Sequence, residues 1–202
     1  MLPALLVAFN RPSELQKCLV SVTQMPLSKL HIVIDGPRAE TEEDQAKILK
    51  VTEIVNQTKF PFPTTIDIRS ENLGSGVGVA KAIGDFFQTE KIGLILEDDC
   101  VVDPSFPRFA EELLLHFQEE RSVISVSATN YCPPEVMTEI HADFYTSKYN
   151  VSGAWASWAH AWADYDQKIK MSEFHRLAIG IVRHPSLNGW AKAFWLFRLT
   201  TS

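Results

Sequence analysis

Three consecutive acids, Glu97-Asp98-Asp99, close a run of apolar residues, Ile92-Gly93-Leu94-Ile95-Leu96. Adjacent carboxylates repel one another unless a cation neutralises them. Hard divalent ions such as Mg²⁺ or Mn²⁺ take carboxylate oxygens and bridge to substrate phosphates. An uninterrupted stretch of Ile and Leu reads as a strand buried on both faces, the kind found in mostly parallel sheets. Ligands of such sheets bind outside the carboxyl ends of the strands. The triplet therefore has two readings, a solvated acidic turn after a strand or a cation and diphosphate site.

Other residues with chemical potential fall at the ends of earlier apolar runs. Arg11 follows the first, as a surface cation or as a contact to a base and phosphate. Asp35 ends the second, immediately before Gly36-Pro37. It either caps its own turn in the Asx manner or accepts a hydrogen bond from a base N–H or a ribose hydroxyl. Gly74-x-Gly76-x-Gly78 does not have the G-x-G-x-x-G spacing of a dinucleotide fingerprint and follows the third strand rather than the first. No G-x-x-x-x-G-K-[S/T] occurs. The glycine cluster remains either a plain loop or a backbone passing close to a ligand, with Lys81 on the first helical turn available to a phosphate. His31, His116, His141, His160, His175 and His184 have no metal-ligand spacing and read as structural or surface residues.

The elements that must position these residues alternate. Residues 5–9 are strand-like, and Ser13 is placed to cap a helix carrying Leu15, Cys18, Leu19 and Val22 on one stripe. Residues 30–34 form a second strand. Thr41 caps a second helix with acids in its first turn. A third strand spans 65–68, a glycine-led helix follows, then the strand before the triplet, a helix from about 104 to 117, and a fifth strand at 123–126. This order predicts an α/β fold with a mostly parallel central sheet and flanking helices. The spacing of Trp155, Trp158 and Trp162 predicts core packing of a helix, with an aromatic wall for a sugar as the alternative.

The 202 residues suit one domain with a sizeable core. We read 1–130 as the half that carries the strand-end residues and 131–202 as a substrate-facing lobe built onto the same domain. The net charge of −6 argues against a broad nucleic-acid-binding surface, though not against a small phosphate pocket. Cys18, Cys100 and Cys132 are odd in number and lack a CxxC pair, which points to reduced thiols in a cytoplasmic setting. The first nine residues lack a basic region and read as a buried strand. No apolar run approaches the roughly 20 residues of a membrane helix, while peripheral contact with a membrane is compatible with the sequence.

Taken in order, Asn10-Arg11-Pro12 after strand one, Asp35 after strand two, Lys81 in the helix after strand three and Glu97-Asp98-Asp99 after strand four resemble the pattern of GT-A fold glycosyltransferases. The likeness is to the N-acetylglucosaminyltransferase I type and related bacterial family-2-like transferases, whose DxD motif takes the form Glu-Asp-Asp. The stretch from Tyr145 through Tyr149 and Gly153 to Trp155 resembles their acceptor-side segment. The resemblance implies a GT-A (nucleotide-diphospho-sugar transferase) fold and metal-dependent transfer of a sugar, by inversion, from a nucleotide-sugar donor to a carbohydrate or lipid-linked acceptor, with the donor UDP-linked. It further implies that Asp99 coordinates Mn²⁺ or Mg²⁺, that Asp98 contacts ribose and Glu97 the donor sugar, that Arg11 and Asp35 hold the uridine, and that Lys81 lies near the diphosphate or base. These enzymes also need a carboxylate base beside a Trp near the end of the domain. Here Trp190-Ala-Lys-Ala-Phe194-Trp195 has no acid, and neither Asp164 nor Asp166 aligns with that base, so the catalytic residue is unassigned. Family members also continue past this point and often supply a His to the metal. The last residues read as helix interior, an expectation of a C-terminally incomplete domain or one that has lost the completing half of its site. Two other classes follow from these departures: a non-catalytic nucleotide-sugar-binding or interaction module, and a sugar-nucleotide pyrophosphorylase. The latter needs a basic Gly-rich loop where this chain has Asn10-Arg11-Pro12.

Overall fold

The structure is a computed structural model and describes residues 1–39, 41–132, 135, 142–148 and 151–165. The chain divides into two compact units, Met1–Tyr165 and Asp166–Ser202, and the described residues belong to the first. Tyr149, Trp190, Phe194, Trp195, Asp166, His141, His175 and His184, singled out above, lie outside them.

The first four strands are β1 (Pro3–Ala8), β2 (Lys29–Ile34), β3 (Thr64–Ile68) and β4 (Ile92–Glu97), and they lie parallel. Between them run α1 (Pro12–Val22), α2 (Glu42–Gln57) and α3 (Gly74–Thr89). α4 (Phe106–His116), β5 (Val126–Ser127), β6 (Ala154–Trp158) and α5 (Ala159–Ala163) follow. The six-stranded sheet has the order β3-β2-β1-β4-β6-β5, with β6 antiparallel to both neighbours. The mostly parallel α/β fold with flanking helices is as expected. No helix among the described residues is long and apolar enough to cross a membrane.

Because side chains alternate along a strand, each buried strand feeds two cores. Ala4, Leu6 and Ala8 of β1 share one with Leu30, Ile32, Ile34, Leu94 and Leu96, covered by Leu15, Leu19, Val22, Val51, Val55, Ala110 and Leu114 of α1, α2 and α4. Leu5 and Ile95 point the other way, against Ala82, Ile83, Phe86 and Phe87 of α3 and against Trp155. Each Leu, Ile, Val or Phe among these contributes about 1.5–3 kcal/mol on burial. β1 lies at the switch in direction. The chain leaves it on one side for β2 and β3, then returns to its other side as β4. The carboxyl ends of β1 and β4 therefore flank the crevice where sheets of this kind bind ligands.

Three local expectations change. α1 starts one residue before Ser13, with Arg11 at the N-cap position, and Pro12 opens the helix, where its missing N–H costs nothing. β5 is confined to Val126–Ser127 rather than spanning 123–126. The Trp segment is not a helix over its length: Trp155 and Trp158 sit on β6, and only Trp162 is helical. A separation of three puts two strand residues on opposite faces, so Trp158 joins the first core and Trp155 the second. Trp158 Nε1 donates to the Leu114 carbonyl at 3.2 Å, which satisfies the one polar group of the buried ring.

Gly93 in β4 leaves room for the Phe86 ring, which is itself hemmed by His31 and Phe87 at centroid distances of 5.7 and 5.2 Å. A Cβ at residue 93 would lie 2.3 Å from that ring. Gly93→Ala is expected to lower unfolding free energy by about 1–3 kcal/mol through overpacking, read from urea denaturation. Adding Phe86→Leu should recover part of that loss, and strictly additive losses in the double variant would refute the clash.

Candidate functional site

At the carboxyl end of β4 the triplet fans out. Asp98 is 1% exposed, and its Oδ2 accepts the backbone N–H of Phe9, at the end of β1, at 3.0 Å. Its Oδ1 is ion-paired with Arg11 Nη2 at 2.5 Å but has no aligned hydrogen bond among the described residues. Asp99 points outward, and its Oδ2 pairs with Arg11 Nη1. One guanidinium therefore spans two adjacent carboxylates. Glu97, half-buried, has its acidity weakened by burial first and by the neighbouring Asp99 second. Burial likewise raises the pKa of Asp98, against the opposing pull of the Phe9 N–H and Arg11.

Arg11, Glu97 and Asp98 line a cavity of about 390 Å³ together with Asp35, Arg38, Arg69, Asn72 and the first turns of α3. Asp35 does not cap its own turn. Its oxygens accept from the backbone N–H groups of Leu73 at 3.2 Å and Gly74 at 3.1 Å, from Asn72 Nδ2 at 3.1 Å and from Arg69 Nη1 at 3.4 Å. The carboxylate thus sits at the N-terminus of α3, where the helix dipole favours negative charge, and ties β2 to the β3–α3 loop. Two glycines allow this. A Cβ on Gly36 would fall 2.5 Å from the Glu71 backbone, and one on Gly78 would fall 3.0 Å from Arg69 Nη1. Of the glycine cluster, Gly78 serves this close packing and Gly74 turns the chain into the helix at φ +76°, a helix start already matched to Asp35.

Lys81 is not brought to the cavity. It lies two turns into α3, not in the first, and its Nζ pairs with Asp85 Oδ2 at 2.7 Å, both side chains more than half exposed. The cations lining the cavity are Arg11, Arg38 and Arg69. The last two, with Asn72 and Asp44, have no role in the sequence reading, although Arg69 directly follows β3 and Arg38 lies on the loop after β2. Placing polar residues at carboxyl ends of parallel strands would have found them.

Among the described residues no group of three or more His, Cys, Asp or Glu is arranged to hold a metal. The donor set here is one outward carboxylate, Asp99, beside the buried Asp98 oxygen that lacks an aligned hydrogen bond. Hard oxygen donors so few in number fit Mg²⁺ or Mn²⁺, ions that complete their shells with water and substrate phosphates. Cys18 and Cys100 are free thiols whose pKa values burial pushes up to about 12 and about 11, so neither is a ready thiolate.

Fold and site together define an α/β protein with a charged pocket at the switch point of its sheet. No family model and no curated protein matches the chain. Among solved structures it is similar to the crystal structure of 4-diphosphocytidyl-2C-methyl-D-erythritolsynthase from Anaerococcus prevotii DSM 20548, at 11% identity and a TM-score of 0.49, over 98% of each chain.

Because the folded state holds the Glu97 pKa above its ordinary 4.5, the native protein binds more protons than the unfolded one just above that value. Ionisation of Glu97 therefore lowers stability as pH rises through this window. Glu97→Gln is expected to raise the urea midpoint at pH 7 in metal-free buffer, the gain shrinking as the pH is brought down toward 4. A lower midpoint at pH 7 would mean that the ionised carboxylate is favourably held.

Proposed function

We propose that this chain binds a nucleotide-sugar, UDP-linked, at the carboxyl ends of β1 and β4 and transfers its sugar to a carbohydrate or lipid-linked acceptor with the help of a divalent cation. The observation carrying this reading is that Arg11, which lines the pocket at the switch point with Glu97 and Asp98, also pairs with the outward-facing Asp99 beside it. The GT-A resemblance of the motifs in strand order supports it. Residues 1–130 then form the donor half, and 131–202 the acceptor side.

In this reading Asp99 holds Mg²⁺ or Mn²⁺ jointly with the donor diphosphate. Such an ion, when bound, stabilises the negative charge that develops on the departing nucleoside diphosphate. The chain's own residues set the rest. Arg11 offsets part of the charge of Asp98 and Asp99, and an incoming diphosphate competes with both for its guanidinium. Asp98, fixed by the Phe9 N–H, lies beneath the ribose, and Glu97 faces the donor sugar. Asp35 and Arg11 bound the nucleoside end. With its oxygens already engaged, Asp35 shapes that end by holding Arg69 and Asn72.

Calorimetric titration of UDP into the 202-residue chain is expected to give binding that strengthens at least tenfold with Mn²⁺, a gain lost in Asp99→Ala. Mn²⁺ alone should bind weakly to the unaltered chain and more tightly to Arg11→Gln, where Asp99 is released. Turnover of a UDP-sugar with added acceptor then separates transfer from binding alone. UDP binding indifferent to Mn²⁺ and to Asp99→Ala would remove the assignment.

A further inference from the structure

We propose that Arg38 is a stacking platform for the base of the bound nucleotide, and that Asp44 is the positioning residue that holds it flat. This rests on the nucleotide reading above and adds to it the residues that meet the ring. Asp44, third in α2, is 1% exposed. Its carboxylate accepts Arg38 Nε at 2.6 Å, Arg38 Nη2 at 2.9 Å and the Arg38 backbone N–H at 3.3 Å, while Asn10 Nδ2 donates to it at 2.6 Å. One buried acid thus clamps the β1–α1 and β2–α2 loops together at the rim of the cavity.

The consequence for Arg38 is chemical. Its Nε–Nη2 edge is used and its charge is balanced, so what it offers a ligand is chiefly the flat face of the guanidinium. It lies over the Phe9 ring, 5.5 Å from the centroid, and still lines the cavity with its side chain 57% exposed. Phe9 in turn is tied through its N–H to Asp98. A planar cation held by a bidentate acid loses little freedom when a ring settles on it, and Arg stacks on aromatic faces where Lys does not.

Position decides which part of the ligand it meets. Across the strand ends the order is β2, β1, β4, with Arg38 after β2, Arg11 after β1 and the triplet on β4. A nucleotide with its diphosphate at Asp99 extends its nucleoside toward β2, onto Arg38. With its Nε–Nη2 edge held by Asp44, Arg38 turns its guanidinium face rather than that donor edge to a ligand, which suits a ring.

The test compares UDP with inorganic pyrophosphate, a probe without a base, each titrated with Mn²⁺ into the full chain and into Arg38→Ala, Arg38→Lys and Asp44→Asn, with urea midpoints confirming that the variants fold. We expect Arg38→Ala and Arg38→Lys to lose at least tenfold in UDP affinity while pyrophosphate changes less than twofold, with Asp44→Asn in the same direction. Where pyrophosphate alone binds too weakly to titrate, the salt dependence of UDP binding decides: an unchanged slope in Arg38→Ala supports stacking, and a shallower one assigns Arg38 to phosphate and overturns the proposal. Equal losses on both probes, full UDP affinity in Arg38→Ala, or Arg38→Lys matching the unaltered chain would each overturn it as well. If the unaltered chain binds neither probe, the nucleotide reading itself fails, a result distinct from selective failure of the Arg38 variants.

Discussion

One guanidinium shared between Asp98 and Asp99 is the interaction on which the site depends. Three acids in sequence at a strand end cannot all stay ionised and close together in a partly buried place without a cation. The fold supplies one from the adjacent strand: Arg11 follows β1, β1 pairs with β4 in register Val7 to Glu97, and the two carboxyl ends therefore arrive together. Burial still outweighs that help at Glu97 and Asp98, whose pKa values stay raised. Arg11 thus compensates the carboxylates only in part, which supports the proposed cation site without requiring it.

The same device recurs along the rim. Arg38 is held by Asp44, and Arg69 by Asp35, just as Arg11 is held by Asp98. In each pair the acid is buried and the arginine lines the cavity. Breaking such a pair from one side leaves an uncompensated buried charge, which is why these contacts fix geometry strongly even where their net stabilisation is small. Arg11–Asp98 ties the loop after β1 to the end of β4, Arg69–Asp35 ties the start of the loop after β3 to that after β2, and Asn10 joins the β1 loop to Asp44, so a site on loops acquires the rigidity of the sheet below it.

What the sequence discloses follows from how each element is buried. β1 and β4 are legible as apolar runs because parallel strands covered on both faces are apolar nearly throughout, and β2 because Leu30, Ile32 and Ile34 alternate into the core. The triplet and Arg11 are legible because they interrupt those runs at their ends. β6 is not, because Ala154-Trp155-Ala156-Ser157-Trp158 is also buried on both faces, and Trp at a spacing of three imitates a helical stripe. The β6 direction was equally hidden, since strand pairing is decided by partners distant in sequence. Lys81 attracted attention as a cation near glycines, yet helical phase turns it to Asp85. Arg38 and Arg69 were passed over because their acids, Asp44 and Asp35, lie six and thirty-four residues away and only the folded chain joins them.

The poverty of the metal donor set has a thermodynamic consequence for how such a site works. A single outward carboxylate already paired to arginine offers little to a free divalent ion, whereas a diphosphate brings oxygens for the ion and a competing partner for Arg11. Each ligand then lowers the cost of binding the other, and the coupling must be equal in both directions. In the proposed reading, Arg11 alone balances the carboxylates only in part, and the cation and the nucleotide complete that balance together.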